Sequence, residues 1–136
     1  MESLKEMLGG DHFAASAGVE LLEVKEGYAK ARMLVTEKHL NAGGVCQGGA
    51  LFTLADLVFA AVANSRGKLT LSLNANITFL RPATKGYVYA EATETFNHFR
   101  VPFIEVRITD EEGQLVSTFT SSGYRKNEEL NIVGLE

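Results

Sequence analysis

The sequence lacks the features that several classes of function require. Its one cysteine, Cys46, excludes an internal disulfide and a zinc site built from cysteines. The three histidines are scattered without the spacing of metal ligands, so we expect no metal site. No run of Lys or Arg occurs among 13 basic and 17 acidic residues, a net charge of −4. Binding to nucleic acid or to an anionic membrane surface needs clustered cations, and we expect neither.

Long apolar runs are also missing. The longest uncharged apolar stretch, residues 57–63, is far shorter than the roughly 20 residues that span a bilayer. Residues 1–10 lack the basic and apolar regions of a signal peptide, so we expect a cytoplasmic protein. The 136 residues, 46% of them hydrophobic, are sufficient for a single domain whose core needs no disulfide or metal.

Alternation of polar and apolar residues predicts a sheet of short strands. The clearest pattern, residues 70–79, places five apolar side chains on one face: Leu71, Leu73, Ala75, Ile77 and Phe79. Similar patterns predict further strands over residues 19–24, 28–35, 87–96, 104–108 and 115–124. A short helix is expected within residues 1–10 and a flexible polar tail over residues 126–136.

Residues 50–63 predict one long helix of about 21 Å, because they contain a single ionisable residue and no helix breaker. This helix is apolar all round, so other elements must cover most of its surface. An antiparallel sheet of five to six strands wrapped around the helix satisfies both patterns. The sequence therefore predicts an α+β fold with one long central helix.

The ionisable residue in that helix is Asp56. A buried carboxylate is costly unless it meets water or a hydrogen-bond donor, or stays protonated. One interpretation is structural, with Asp56 bonded to Thr53 one turn earlier or marking the one wet position of the helix. The other is that Asp56 is a functional acid.

A glycine-rich turn precedes the helix. Residues 41–49 contain four glycines, and Gly48 and Gly49 stand directly before the predicted start. Free N–H groups and the positive end of the helix dipole lie at a helix N-terminus, and glycine lets a ligand approach closely. Such a position suits a carbonyl oxygen that gains negative charge during acyl transfer. Alternatively, the glycines only form a tight loop.

Gly49 and Asp56 are seven residues apart, on one helix face but about 10 Å apart along the axis. One carbonyl group cannot easily reach both in the same chain. If two chains set their helices antiparallel across a two-fold axis, Asp56 of one chain faces the Gly49 amide of the other. This geometry favours a homodimer with two shared sites.

These motifs together resemble a known family, the hotdog-fold acyl-CoA thioesterases of the PaaI-like, phenylacetate-pathway group. The residues that carry the resemblance are His39-Leu40-Asn41, Gly44, Gln47-Gly48-Gly49, Leu54-Ala55-Asp56, Asn76-Ile-Thr-Phe-Leu-Arg-Pro82 and Lys85-Gly86. It extends over about residues 18–124. The resemblance implies a hotdog fold, dimers with sheets paired edge to edge that usually form tetramers, and thioester hydrolysis without a metal or other cofactor.

The resemblance also assigns roles to residues. It makes Asp56 the general base or the nucleophile, and Gly49, with Gly48, the backbone donor to the oxyanion. It implies that Asn41 positions the water or the thioester. The segments containing Arg81 and Pro82, and Lys85 and Gly86, would follow the pantetheine and phosphates of CoA.

Other residues are candidates by chemistry alone. Arg100 could contact a CoA phosphate. The aromatic side chains Phe52 and Phe59 suggest an apolar acyl pocket. The substrate expected is therefore an acyl-CoA.

Two positions depart from the family pattern. Gln47 stands where the family commonly has histidine; its carboxamide donates a hydrogen bond but cannot carry a proton. Ala60 stands where certain relatives carry a hydroxyl residue.

Two alternative functions remain. One is a non-catalytic acyl-CoA binder or sensor. The other is a hotdog hydratase or dehydratase, although that activity needs a histidine where Gln47 lies.

Overall fold

A six-stranded antiparallel sheet forms the framework of the computed structural model, which describes residues 2–130. The strands are β1 (Val19–Lys25), β2 (Tyr28–Val35), β3 (Lys68–Phe79), β4 (Gly86–Phe96), β5 (Phe103–Thr109) and β6 (Leu115–Glu129). Their order is β1-β2-β4-β5-β6-β3, so β1 and β3 are the edges. All six predicted strands are confirmed, with bounds that differ by a few residues.

Three helices and a 3-10 turn complete the fold: α1 (Glu2–Leu8), α2 (His12–Ser16), the turn Glu37–His39 and α3 (Gly48–Ala63). The central helix α3 begins two residues earlier than predicted, because the Gln47 carbonyl accepts from the amides of Ala50 and Leu51. Helix α2 was not predicted; the Asp11 carboxylate caps it by accepting from Ala14 N at 3.0 Å. Within residues 2–130, every helix is too short or too polar to cross a membrane.

Helix α3 packs against all six strands and supplies the centre of the core, with Leu54, Val58 and Val62 fully buried. Its exposed or half-exposed positions include one stripe at helical spacing: Gly49, Thr53, Asp56 and Ala60. The predicted α+β architecture, a sheet wrapped around one central helix that is covered on most sides, is confirmed. The uncovered stripe contains both residues that the sequence analysis selected.

The apolar face predicted for β3 packs against the core only at Ala75 and Ile77. Leu71 and Leu73 are 53% and 58% exposed, and Phe79 at the end of the strand is 53% exposed. The pairing of β3 with β6 shifts register between Ser72 and Asn74. Such an irregularity changes which face of the sheet the following residues occupy, so a single period cannot describe the strand.

The prediction of a flexible tail over residues 126–136 is wrong in its first part. Residues 126–129 continue β6, and Lys68 pairs with Glu129. Leu130 N donates to Gly67 O at 2.7 Å. The remaining part of that predicted tail, residues 131–136, lies outside the described residues, as does Met1 of the predicted N-terminal helix.

Candidate active site

The glycine turn before α3 is held in shape by Asn41. Its side-chain oxygen accepts from Gly43 N at 2.9 Å and from Val45 N at 3.2 Å. Its backbone N–H donates to Val45 O at 2.8 Å. The Asn41 oxygen is therefore engaged in forming the turn, while its side-chain N–H groups have no hydrogen-bond partner within residues 2–130 and can still contact a ligand.

Two backbone hydrogen bonds fix the start of α3. Cys46 N donates to Ala83 O and Gln47 N donates to His39 O, both at 2.7 Å. The next two amides, those of Gly48 and Gly49, have no acceptor among the described residues. These amides lie at the positive end of the helix dipole, so they can bind a developing oxyanion.

A Cβ atom at either glycine would come too close to a neighbouring side chain at this helix start. A Cβ atom on Gly48 would lie 2.6 Å from the ring of Phe79. A Cβ atom on Gly49 would lie 2.7 Å from the side-chain oxygen of Gln47. The Gln47 side chain thus lies beside Gly49, where it does not cap the helix. It is an exposed polar group next to the two free amides.

Asp56 lies on the uncovered stripe of α3, where it is exposed and has no hydrogen bond or ion pair to any residue from 2 to 130. The proposed bond to Thr53 is absent, because the Thr53 hydroxyl donates to Gly49 O at 2.8 Å. Partial burial, and then the charge of Asp11, raise the pKa of the Asp56 carboxyl. An unpaired acid with a raised pKa is more typical of a functional group than of a structural one.

Two clefts flank the start of α3. The first, which we call the α2 cleft, has a volume of about 320 Å3, and Gln47, Gly49 and Thr53 line it together with Phe13 of α2. The second, which we call the β3 cleft, has a volume of about 360 Å3. It brings together four of the predicted residues, Asn41, Gly48, Arg81 and Pro82.

The candidate CoA-binding residues are divided between two ends of the sheet. Arg81 is exposed and donates to Leu115 O at 3.0 Å, and Lys85 is exposed just before β4. Gly86 opens β4 with a φ of +79°, a conformation that favours glycine, which accounts for this residue structurally.

Arg100 is not part of that group in a single chain. It follows β4, whose 11 residues separate it from Lys85 by roughly 30 Å. Its guanidinium donates to Arg125 O and, at 2.8 Å, to the side-chain oxygen of Asn127. The three candidate CoA-binding cations, Arg81, Lys85 and Arg100, are therefore not brought together within one chain.

Of the two aromatic residues predicted to line an acyl pocket, Phe59 is in the core and Phe52 is partly buried against it. Phe59 is 3% exposed and lies against Gly123. The ring of Phe52 packs edge-on against Phe119, with the ring centroids 5.2 Å apart. Neither side chain lines either cleft. Packing of α3 onto β6, which no local pattern specifies, directs them inward.

Cys46 has no features of a nucleophile. It is buried, and this burial raises the pKa of its thiol, so the reactive thiolate is disfavoured. Among the described residues, no three His, Cys, Asp or Glu side chains are grouped so that they could hold a metal ion.

The sequence analysis missed the contribution of α2. This helix forms a wall of the α2 cleft, and its capping residue Asp11 influences Asp56. A signal was present, because Asp11 precedes the helix as an N-cap and Gly18, with a φ of +82°, follows it. Helix α2 has only five residues, too few to show a clear helical spacing of apolar side chains.

Comparisons with known proteins agree on one family. A family model described as the thioesterase superfamily matches residues 43–117. A putative esterase of Archaeoglobus fulgidus is 40% identical over 111 residues, 81% of this chain and 72% of that protein. The acyl-coenzyme A thioesterase PaaI of Escherichia coli is 29% identical over 120 residues, 88% of this chain and 86% of that protein. The solved structure of the E. coli PaaI protein matches with a TM-score of 0.90 and 27% identity, covering 96% of this chain and 95% of that one.

Proposed function

The chain belongs to the thioesterase superfamily as a PaaI-like hotdog thioesterase, and from this premise we propose that it hydrolyses an acyl-CoA to a free acid and CoA. The observation that carries the proposal is the pair of free amides at Gly48 and Gly49. Gly49 lines the α2 cleft and Gly48 lines the β3 cleft, at the start of a helix that also presents an unpaired acid. Hydrolysis of a thioester needs both a hydrogen-bond donor to the oxyanion and an activated oxygen nucleophile.

Water is the second reactant in this reaction. With Asp56 as general base, its carboxylate takes a proton from water while the water oxygen attacks the thioester carbon. The C–S bond then breaks, and the CoA thiolate takes up the proton. With Asp56 as nucleophile, its oxygen displaces the CoA thiolate to give an anhydride, which water hydrolyses. Neither route needs a cofactor.

The site requires two chains in this proposal. Gly49 and Asp56 share a helix face but lie about 10 Å apart along it, so one carbonyl group cannot reach both. Antiparallel pairing of two α3 helices would set Asp56 of one chain against the Gly49 amide of the other. The uncovered stripe of α3 supports this arrangement, because it is free to contact a second helix.

The edge strand β3 supports the same pairing. Its backbone groups on one side have no neighbouring strand within residues 2–130. Four exposed apolar side chains belong to it or follow it directly: Leu71, Leu73, Phe79 and Leu80. A long apolar edge favours pairing with another strand, and a second copy of β3 would extend the sheet. Association of dimers into tetramers, which the resemblance implies, is not needed to complete the site.

Gln47 and Asn41 would assist the oxyanion amides. The Gln47 side chain lies beside Gly49, so its N–H can donate to the thioester oxygen. Asn41 lines the β3 cleft, where its side-chain N–H groups could orient the thioester or the water. Arg81 and Lys85, exposed near that cleft, would contact CoA phosphates, with Arg100 contributed from the partner chain.

The proposal is tested by incubating purified protein with short, medium, long and aryl acyl-CoA substrates while free thiol is measured. We expect hydrolysis of at least one class, and sedimentation at assay concentration should show a dimer or larger. Binding of acyl-CoA without hydrolysis by the unmodified chain would support the sensor instead. Full activity in a monomer would contradict the shared site.

A further inference from the structure

His39 is a buried histidine with no part in the proposed chemistry, and it is only 5% exposed. Its Nδ1 lies 3.0 Å from Thr36 N, and its Nε2 lies 2.6 Å from Ala17 O. Because a backbone N–H can only donate, Nδ1 accepts from Thr36, and the ring proton is on Nε2, which donates to Ala17 O. A neutral ring in one defined tautomer thus joins two segments of the chain.

The first segment leads to the oxyanion amides. The bond between Nδ1 and Thr36 N closes the 3-10 turn Glu37–His39. The carbonyl group of His39 itself accepts from Gln47 N at 2.7 Å. Gln47 is the N-cap of α3, and the free amides of Gly48 and Gly49 follow it directly. A shift of the His39 backbone therefore moves the residue from which both amides project.

The second segment is helix α2. Ala17, whose carbonyl accepts from Nε2, is the C-cap of this helix. Phe13 of α2 and Ala50 of α3 both line the α2 cleft. One further bond holds the same end of α2, from the exposed Lys38 side chain to Ser16 O. The buried bond from His39 is the better protected of the two from solvent.

We propose that His39 is a positioning residue with two separable effects. Through Nδ1 it fixes the start of α3 and the direction of the Gly48 and Gly49 amides. Through Nε2 it holds α2 as a wall of the α2 cleft, where part of the substrate binds. The kinetic side of this inference rests on the proposed acyl-CoA hydrolysis, whereas the structural side can be measured without any substrate.

Two substitutions separate the effects. The carboxamide in His39→Gln reaches the position of Nε2 and preserves the bond to Ala17, but it loses the acceptor for Thr36. The carboxamide in His39→Asn occupies the position of Nδ1 and preserves the opposite bond. We expect kcat to fall about tenfold in His39→Gln with little change in KM, because oxyanion donors act in the transition state. We expect KM to rise about fivefold in His39→Asn with little change in kcat.

Amide hydrogen exchange measures the same positions without catalysis. Exchange at Gln47 should be faster in His39→Gln than in His39→Asn, and exchange at Ala17 should show the reverse order. If the unmodified protein hydrolyses no acyl-CoA, the proposed function fails, but these exchange rates still decide the role of His39.

His98 supplies a matched control. Its Nδ1 accepts from Arg100 N at 3.0 Å and from Val101 N at 2.9 Å, in a turn at the other end of the sheet. His98→Asn should lower Tm at most and leave kcat and Gln47 exchange unchanged. If both His39 variants also change only Tm, then His39 is a purely structural residue and the proposal is wrong.

Discussion

The C-terminal end of α3 is closed by side chains, whereas two amides at its N-terminal end have no acceptor. Asn64 Nδ2 donates to Ala60 O at 2.9 Å, and its Oδ1 accepts from Thr70 N at 2.9 Å. The Ser65 hydroxyl donates to Val62 O at 2.7 Å. At the other end, Gly48 and Gly49 leave their amides open. Every helix has unpaired groups at both ends; in α3 side chains satisfy the C-terminal groups, whereas the two N-terminal amides remain free to bind a ligand.

Two acids differ in the same way: Glu94, which pairs with a residue that follows α3, and Asp56, in the middle of α3. Glu94, with a side chain 3% exposed, pairs with Arg66 at 2.8 Å and with Arg125 at 3.1 Å. Asp56 has no such partner within residues 2–130. A paired buried acid contributes to folding, while an unpaired one is available for chemistry. Substitutions at one end should therefore change stability, and those at the other end should change activity.

The largest effect is expected for Asp56→Asn. Loss of the base or nucleophile should lower kcat by about 10²- to 10⁴-fold, as general-base catalysis typically contributes. Free-thiol release from the best acyl-CoA measures this. Glu112→Gln, an exposed acid in the β5–β6 turn, is the matched control and should retain full activity. Undiminished hydrolysis by the Asp56 variant would remove this residue from its role.

The same substitution should not weaken the fold at neutral pH. The pKa of Asp56 is raised in the folded chain, so folding favours its protonated form. That contribution is fully present below the unfolded pKa and is lost as the pH rises through the folded pKa. The Asn side chain stays neutral, so Tm of the variant should exceed that of the unmodified protein at pH 7. The difference should shrink toward acidic pH, and an equal or lower Tm at pH 7 would contradict the argument.

The next effect is on stability, at the closed end. Glu94→Ala removes the carboxylate that pairs with Arg125, whose side chain is 8% exposed. Removing one partner of a buried ion pair costs about 3–5 kcal/mol of unfolding free energy. Urea unfolding measures the loss, and kcat of the folded protein should be unchanged. Glu91→Ala, an exposed acid on the same strand, should cost less than about 1 kcal/mol.

A smaller effect on activity is expected for Gly49→Ala. The new methyl group would displace the Gln47 carboxamide and narrow the approach to the free amides. We expect kcat to fall about tenfold, which is less than the loss expected when an oxyanion donor is removed completely. Stability should be equal or higher, because alanine favours helix by about 0.5–1 kcal/mol over glycine. Gly43→Ala, in the same turn but with an ordinary contact to Asn41, should leave kcat unchanged.

The smallest effect is expected for Asp11→Asn, and it concerns pH alone. The negative charge of Asp11 helps to raise the pKa of Asp56, so its removal lowers that pKa. The ionised form of Asp56 then persists at lower pH, and the acid limb of the kcat profile should move toward lower pH. Asparagine also caps helices well, so α2 should be preserved. A shift of the acid limb toward higher pH would contradict this prediction.

Much of the fold could be predicted because its signals are local. The alternation over residues 28–35 identified β2 with its bounds as Tyr28–Val35. The glycine turn and Asp56 were found because each contrasts with its neighbours, a flexible turn before a helix and one acid within an apolar segment. The register shift in β3 could not be predicted in this way, because it depends on pairing with β6.

The sequence by itself determined the strands, the apolar helix, the open glycine turn and the lone acid, since each depends on residues close together along the chain. Only the tertiary structure decided that Phe59 is in the core with Phe52 packed against it, and that Arg100 lies at the far end of the sheet from Lys85. It also decided that His39 joins α2 to the start of α3. These outcomes depend on sheet register and on packing between distant segments, which local periodicity does not encode.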